Sequence, residues 1–214
     1  KKNLLLAKNI AKKIITNKSS LNQLSTSEKN LWKVEYIKPI KGVHDAAQNL
    51  RLRDPAINDS ILSEELFKVD FPKIKLNENK FPEVTFLMNK KYFTVQISAG
   101  NNIQKFKNWS TDHWIDFLKS ASEKFPDHYF LLLGEPKEKE IADIILKQNI
   151  QHTYSVVGKT GIPEVVEFIR NSEIFIGLDG GLMHIAVAAG KPTFTLWGAS
   201  DFNLYGYEKI NSKK

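Results

Sequence analysis

The segment EIFIGLDGGLMHIAVAAGKPTFTLWG, starting at Glu173, limits the possible folds more than any other part of the chain. Its apolar run from Ile174 to Leu178 is too short for an ordinary helix and reads as a strand buried on both faces. Asp179, Gly180 and Gly181 interrupt the run, and the two glycines allow a sharp turn and a close approach of backbone to whatever lies above the strand end. Leu182 to Ala189 is rich in small side chains, which suits a helix packed tightly on a sheet, and Gly190 and Pro192 end it. Thr193 to Trp197 supplies a second apolar strand. A strand, glycine turn, helix and strand in this order present N–H groups at a helix N-terminus, where an anion can sit.

The same alternation extends back to Tyr92. Strands are expected at Tyr92 to Ser98, in HYFLLLG and in TYSVVG, and helices in STDHWIDFLKSASEKF with Ser110 or Thr111 as N-cap, from Lys137 to Gln148, and from Pro163 to about Asn171. Five strands alternating with four helices argue for an α/β fold, a parallel sheet with helices on both faces. Ligands of such sheets bind at the carboxyl ends of the strands, near the switch in strand order. The chemistry is therefore expected in the loops beginning at Ser98, Gly134, Gly158, Asp179 and Gly198. Residues 1–82 are lysine- and asparagine-rich and weakly patterned, with possible helices at Leu4 to Ile15 and in GVHDAAQNLRLRD, and a charged, proline-broken stretch from Asn58 to Pro82 that reads as a linker. The expected division is thus 1–82 and 83–214.

The absence of cysteine excludes a disulfide framework and a thiolate metal site. No apolar stretch has the length of a membrane span and no secretory signal is present, so the expectation is a soluble, cytoplasmic protein. The formal net charge of +7 favours acidic partners: nucleic acid, an anionic membrane surface or phosphorylated small molecules. Scattered lysines, and aromatics that read as core, argue against nucleic acid. The start at Lys1 suggests a fragment.

Several motifs bear on the site. Gly158-Lys159-Thr160 suggests a phosphate loop, but the required earlier glycine falls on Thr153, and no G-x-G-x-x-G follows the first strand of the sheet. In the first loop, Ser98 offers a hydroxyl, Gly100 an approachable backbone, and Lys107, two residues before Trp109, a compact positive charge over the strand ends. Glu138 opens the second helix, where a carboxylate either complements the helix dipole or accepts from a ribose diol. His184, beside Asp179 and two glycines, points to contact with phosphate or sugar more than to a core histidine. The other histidines show no metal-ligand spacing, and no serine, histidine and acid set suggests a hydrolase triad.

Taken together, ISAGNNIQKFKNWSTDHWIDFL, FLLLGEPKEKE and VVGKTGIPEVVEFIRNSEIFIGLDGGLMHIAVAAGKPTFTLWGAS resemble the heptosyltransferases, the family 9 glycosyltransferases of lipopolysaccharide core assembly. The most specific element is D-x-G-x-x-H, formed by Asp179, Gly181 and His184, then the lysine-x-tryptophan at Lys107 and Trp109. The resemblance implies the C-terminal, Rossmann-like, nucleotide-sugar-binding half of a GT-B glycosyltransferase. It places Ser98 or Gly100 and Lys107 at the donor diphosphate, Glu138 at the ribose and Thr160 beside the adenine, with Asp179, Gly180, Gly181 and His184 at the sugar and phosphate end. The implied reaction is metal-independent, inverting transfer of heptose or a related sugar from an ADP-sugar, ADP-heptose above all, to a lipopolysaccharide core or other glycolipid acceptor. It needs no cofactor, and contact with the anionic inner membrane would be peripheral. Lys107 would stabilise the leaving group, and the general base would lie outside this chain, which would be inactive alone. Position 180 is glycine where the family usually has serine or threonine, and Ser110 stands in place of the usual proline. Alternatives are a nucleotide-sugar-binding domain without transferase activity and a GT-B-type nucleotide-sugar epimerase.

Overall fold

The computed structural model describes residues 14–16, 34–36, 45, 69–100, 107–198 and 200–207. The chain separates into two compact units, 1–63 with 201–210 and 64–200 with 211–214.

In the first unit, β1 (Ile14–Thr16) and β2 (Val34–Tyr36) pair in parallel, with Ile14 opposite Val34. This corrects the end of the helix expected at Leu4 to Ile15, the rest of which lies outside the described residues. Consecutive β-branched residues, Ile14-Ile15-Thr16, favour the extended chain once a partner strand is available, and that partner is 20 residues away in sequence. Of the helix expected from Gly42, only Asp45 is described, and it is helical.

The second unit is built on β3 (Tyr92–Gln96), β4 (Tyr129–Leu133), β5 (Thr153–Ser155), β6 (Ile174–Leu178) and β7 (Thr193–Leu196). All pairings are parallel and the order is β5-β4-β3-β6-β7. The chain runs outward from β3 through β4 to β5, then returns to the other side of β3 for β6 and β7. The order therefore reverses between β3 and β6, and a crevice opens there at the carboxyl ends of the strands.

Helices cover both faces. On one, α1 (Thr111–Lys124) and α2 (Lys139–Leu146) bring Trp114, Leu118 and Ile145 onto Phe93, Val95, Phe130 and Leu132. Ser110 caps α1, its hydroxyl accepting from the His113 N–H at 3.2 Å. The helix expected from Lys137 opens instead as a single 3-10 turn, Pro136–Glu138, before α2 begins. On the other face lie α3 (Ile162–Asn171) and α4 (Gly181–Ala188). The Tyr92 hydroxyl donates to the Phe168 carbonyl of α3 at 2.6 Å, across the interior of this layer.

Part of the stretch read as a linker belongs to this core. Phe81 is fully buried, with its ring edge-on to Phe168 at 5.6 Å, and Leu76 is buried as well. Arg170 donates to the Phe71 carbonyl at 2.7 Å, and Glu167 accepts from the Ile74 N–H at 3.3 Å, so α3 grips the segment from its polar side. Prolines and charges on the outer side of residues 69–82 hid its two apolar anchors.

Candidate functional site

A cavity of about 340 Å³ opens at the carboxyl ends of the strands, in the crevice beside β3. It is of the size that takes a small molecule. Of the candidate residues, Ser98, Gly100, Glu138, Thr160 and Gly181 line it, whereas Lys107, Asp179, Gly180 and His184 do not. Its walls differ in character: Ile162, Val165, Leu182 and Ile185 from α3 and α4 form an apolar side, and Ser98, Glu135 and Glu138 a polar one.

The lysine-x-tryptophan triplet is tied down at every position. The Lys107 ammonium donates to Asp179 Oδ2 at 2.5 Å, with the lysine side chain mostly buried and the aspartate almost wholly so. Asn108 Oδ1 accepts from the Ala99 N–H at 2.8 Å and from the Ser98 hydroxyl at 3.3 Å. Trp109 packs edge-on against Trp114 at 5.0 Å and stacks on His113 at 5.4 Å. The cation of Lys107 is thereby held beside the turn that begins α4.

That turn works by close approach. Gly180 has extended backbone, with φ of -168°, so no left-handed conformation is involved. Its demand is for space: a Cβ there would stand 2.9 Å from Gln96 Nε2 and 3.5 Å from the Ala99 Cα. The first hydrogen bonds of α4 run from the Met183 and His184 N–H groups to the Gly180 carbonyl, at 3.1 and 3.4 Å. The N–H groups of Gly181 and Leu182 precede them, and both residues line the cavity. A helix start of this kind carries partial positive charge towards an anion. His184 is half-buried one turn into α4. In the first loop Gly100 does take a left-handed conformation, with φ of 92°, which a side chain there would strain.

Glu138 sits in the 3-10 turn after β4 and is 4% exposed. Its Oε2 accepts from the Glu135 N–H at 2.8 Å, while Oε1 has no hydrogen-bond partner among the described residues. Burial raises its carboxyl above the usual carboxylate value, against the lowering by the Glu135 N–H and the Ser98 hydroxyl. One oxygen closes a capping box, and the other is a buried atom of a residue in the cavity wall.

Two residues of the site were not singled out from sequence. Asn108 was the unspecified middle of the triplet, and no sequence signal marks it. Gln96 did carry a signal, as an amide inside the mostly apolar YFTVQI, with 4% exposure and a place in the cavity wall. Among the described residues, no group of three or more His, Cys, Asp and Glu is arranged to hold a metal ion. No helix among them is long and apolar enough to cross a membrane.

The sequence profile of glycosyltransferase family 9 (heptosyltransferase) matches residues 47–212. Lipopolysaccharide heptosyltransferase 3 of Escherichia coli K12 is 25% identical over 177 residues, which cover 80% of this chain and 49% of the relative. Lipopolysaccharide heptosyltransferase 1 of Campylobacter coli is 25% identical over 145 residues, 66% of this chain and 41% of the relative. The chain spans about half the length of these curated relatives. Among solved structures, the family 9 glycosyl transferase of Veillonella parvula superposes with a TM-score of 0.68 at 14% identity, over 97% of this chain and 58% of that one. E. coli heptosyltransferase WaaC with ADP-2-deoxy-2-fluoro heptose superposes at 0.51 with 15% identity, over 83% of this chain and 53% of that one. At such identities the likeness is one of fold, that of a Rossmann-like half of the GT-B architecture. With a profile match over most of its length, the chain belongs to glycosyltransferase family 9, the heptosyltransferases.

Proposed function

We propose that this chain is the donor-binding half of an inverting glycosyltransferase that moves heptose from ADP-heptose to a lipopolysaccharide core acceptor. The observation that carries the reading is the juxtaposition at the sheet's switch point. A cavity with a buried carboxylate oxygen on Glu138, unpaired among the described residues, adjoins the start of α4, and the Lys107–Asp179 pair stands at the same turn. A nucleoside diphosphate matches these features in order. Its ribose diol supplies hydroxyl donors to Glu138 Oε1, its base lies on the apolar wall near Thr160, and its diphosphate meets the N–H groups of Gly181 and Leu182.

As the anomeric bond breaks, negative charge accumulates on the departing diphosphate while the sugar becomes oxocarbenium-like. Fixed donors aimed at that growing charge lower the barrier because they need no rearrangement at the moment of reaction. Lys107 adds a full positive charge at the same turn, and no metal is required in the proposed mechanism. Asp179 holds the ammonium at the strand ends in the absence of donor. A carboxylate outside this chain takes the acceptor hydroxyl's proton. The proposed setting is the cytoplasmic face of the inner membrane, approached through the positive charge of the chain.

Calorimetric titration of this chain with ADP, UDP and GDP tests the reading. Saturable binding that prefers ADP and weakens in Lys107→Ala supports it, and absence of binding to all three nucleotides overturns it.

A further inference from the structure

The side chains of Tyr92, Thr94, Gln96 and Ser98 form one row on the α3 and α4 side of β3 and its extension, and all four residues are buried. Three of them have partners for their polar atoms. The Tyr92 hydroxyl meets the Phe168 carbonyl at 2.6 Å, Thr94 Oγ1 lies 3.3 Å from Ser172 Oγ, and Ser98 Oγ lies 3.3 Å from Asn108 Oδ1. Gln96 is the exception. Its Nε2 donates to the Ser98 carbonyl at 2.8 Å, and since a carbonyl only accepts, this contact settles which end of the amide is nitrogen. Its Oε1 is buried with no partner among the described residues.

The fold makes room for this side chain in two places, at its base and at its amide. A Cβ on Gly177 would stand 2.9 Å from the Gln96 Cβ, and a Cβ on Gly180 would stand 2.9 Å from its Nε2. Gly181, next in the chain, has nothing within 4 Å of its Cβ position, so side-chain space is withheld where Gln96 stands and left open one residue later. A long polar side chain inserted between two glycines, with one hydrogen-bonding atom unused, is costly unless the unused atom finds a partner in some state of the protein.

Gln96, at the end of β3, and Glu138, in the 3-10 turn after β4, both line the cavity, and each has one buried acceptor with no partner among the described residues. Two separate acceptors require an occupant with two separate donor groups, which is the chemistry of a polyol. With the ribose on Glu138, as proposed above, the group at Gln96 lies at the α4 end, beyond the diphosphate. We infer that Gln96 is a specificity-determining residue of the donor site, its carboxamide oxygen accepting a hydrogen bond from a hydroxyl of the transferred sugar, with Gly180 keeping that amide in place. The inference rests on the donor-pocket reading.

The test compares ADP with ADP-heptose as ligands of the unsubstituted chain and of Gln96→Met, which nearly preserves shape and removes the acceptor. Loss of one hydrogen bond predicts ADP-heptose affinity lower by about five- to tenfold, with ADP affinity unchanged within about twofold. Equal loss for both ligands, or loss for neither, overturns the role of Gln96 and leaves the donor pocket standing. If the unsubstituted chain binds neither ligand, the pocket reading falls and the inference with it. Gly180→Ser gives an independent check, because its Cβ displaces the amide. It lowers ADP-heptose affinity selectively by a similar factor in the natural background and has no further effect in Gln96→Ala. A further loss in that background shows that Gly180 acts by some route other than Gln96 and overturns the coupling. Thermal melts of each variant establish that it is folded.

Discussion

On one face of β3, Phe93, Val95 and Ile97 belong to one apolar cluster with Trp114, Leu118 and Ile145 from α1 and α2. On the other, Tyr92, Thr94, Gln96 and Ser98 form a buried polar row whose bonds reach α3 and its C-cap Ser172, the start of β6 and the loop after β3. Both rows are out of water, so burial does not distinguish them. The distinction lies in what substitution removes. The first face loses transferable area and packing when truncated, whereas the second loses specific, directional partners. The apolar face is the rigid platform, and the polar face converges on the cavity and positions the groups around it.

The largest difference between the faces is expected from Trp114→Ala. Trp114 is wholly buried against the sheet, and its loss is expected to cost about 3–5 kcal/mol in urea denaturation, enough to threaten folding. A measured cost below about 1 kcal/mol would mean that the platform repacks and the contrast fails. Next is Lys107→Met, which leaves the buried Asp179 carboxylate without its cation. Because Lys107 keeps some exposure, the expected cost is about 2 kcal/mol, below that of a wholly buried pair, and Asp179→Asn in the same chain recovers part of it. Tyr92→Phe removes only the hydroxyl bonded to Phe168 and is expected to cost about 1–2 kcal/mol, with the apolar face and nucleotide affinity untouched.

The smallest effect is a slope. The folded-state pKa of Glu138 is raised above 4.5 by burial, so the folded protein holds its proton where the unfolded chain has released it. Between 4.5 and that raised value the folded state therefore binds more protons, and stability falls as pH rises. Glu138→Gln removes this contribution, and denaturation midpoints measured across that window should become less dependent on pH. An unchanged slope would show that Oε1 is better solvated than its position in the cavity wall indicates.

The sheet was legible because its strands are buried on both faces and its helices are amphipathic: every expected strand from Tyr92 onward occurs, within a few residues of its expected ends. Motif residues on consecutive loops were equally accessible, since the carboxyl ends of parallel strands bring those loops together whatever their separation in sequence. Short strands in weakly patterned sequence were not, as Ile14–Thr16 shows, because three residues carry too little periodicity to distinguish a strand from the end of a helix. Phe81 was obscured for a related reason: a lone aromatic among prolines and charges has no pattern, and only the facing Phe168 gives it a place.

Local chemistry thus determined the alternation of strands and helices, the cap at Ser110 and the positions of Lys107, Glu138 and Asp179 on loops at one end of a sheet. Those are consequences of periodicity and of residue type, which a linear chain displays. Only the tertiary structure decided that Lys107 would be held by Asp179, 72 residues away, that Asn108 would bind the end of β3, and that Gln96 would stand between Gly177 and Gly180. These depend on which strands become neighbours and on gaps of a few ångströms between them, and strand order is a property of the folded chain's packing that local sequence does not encode.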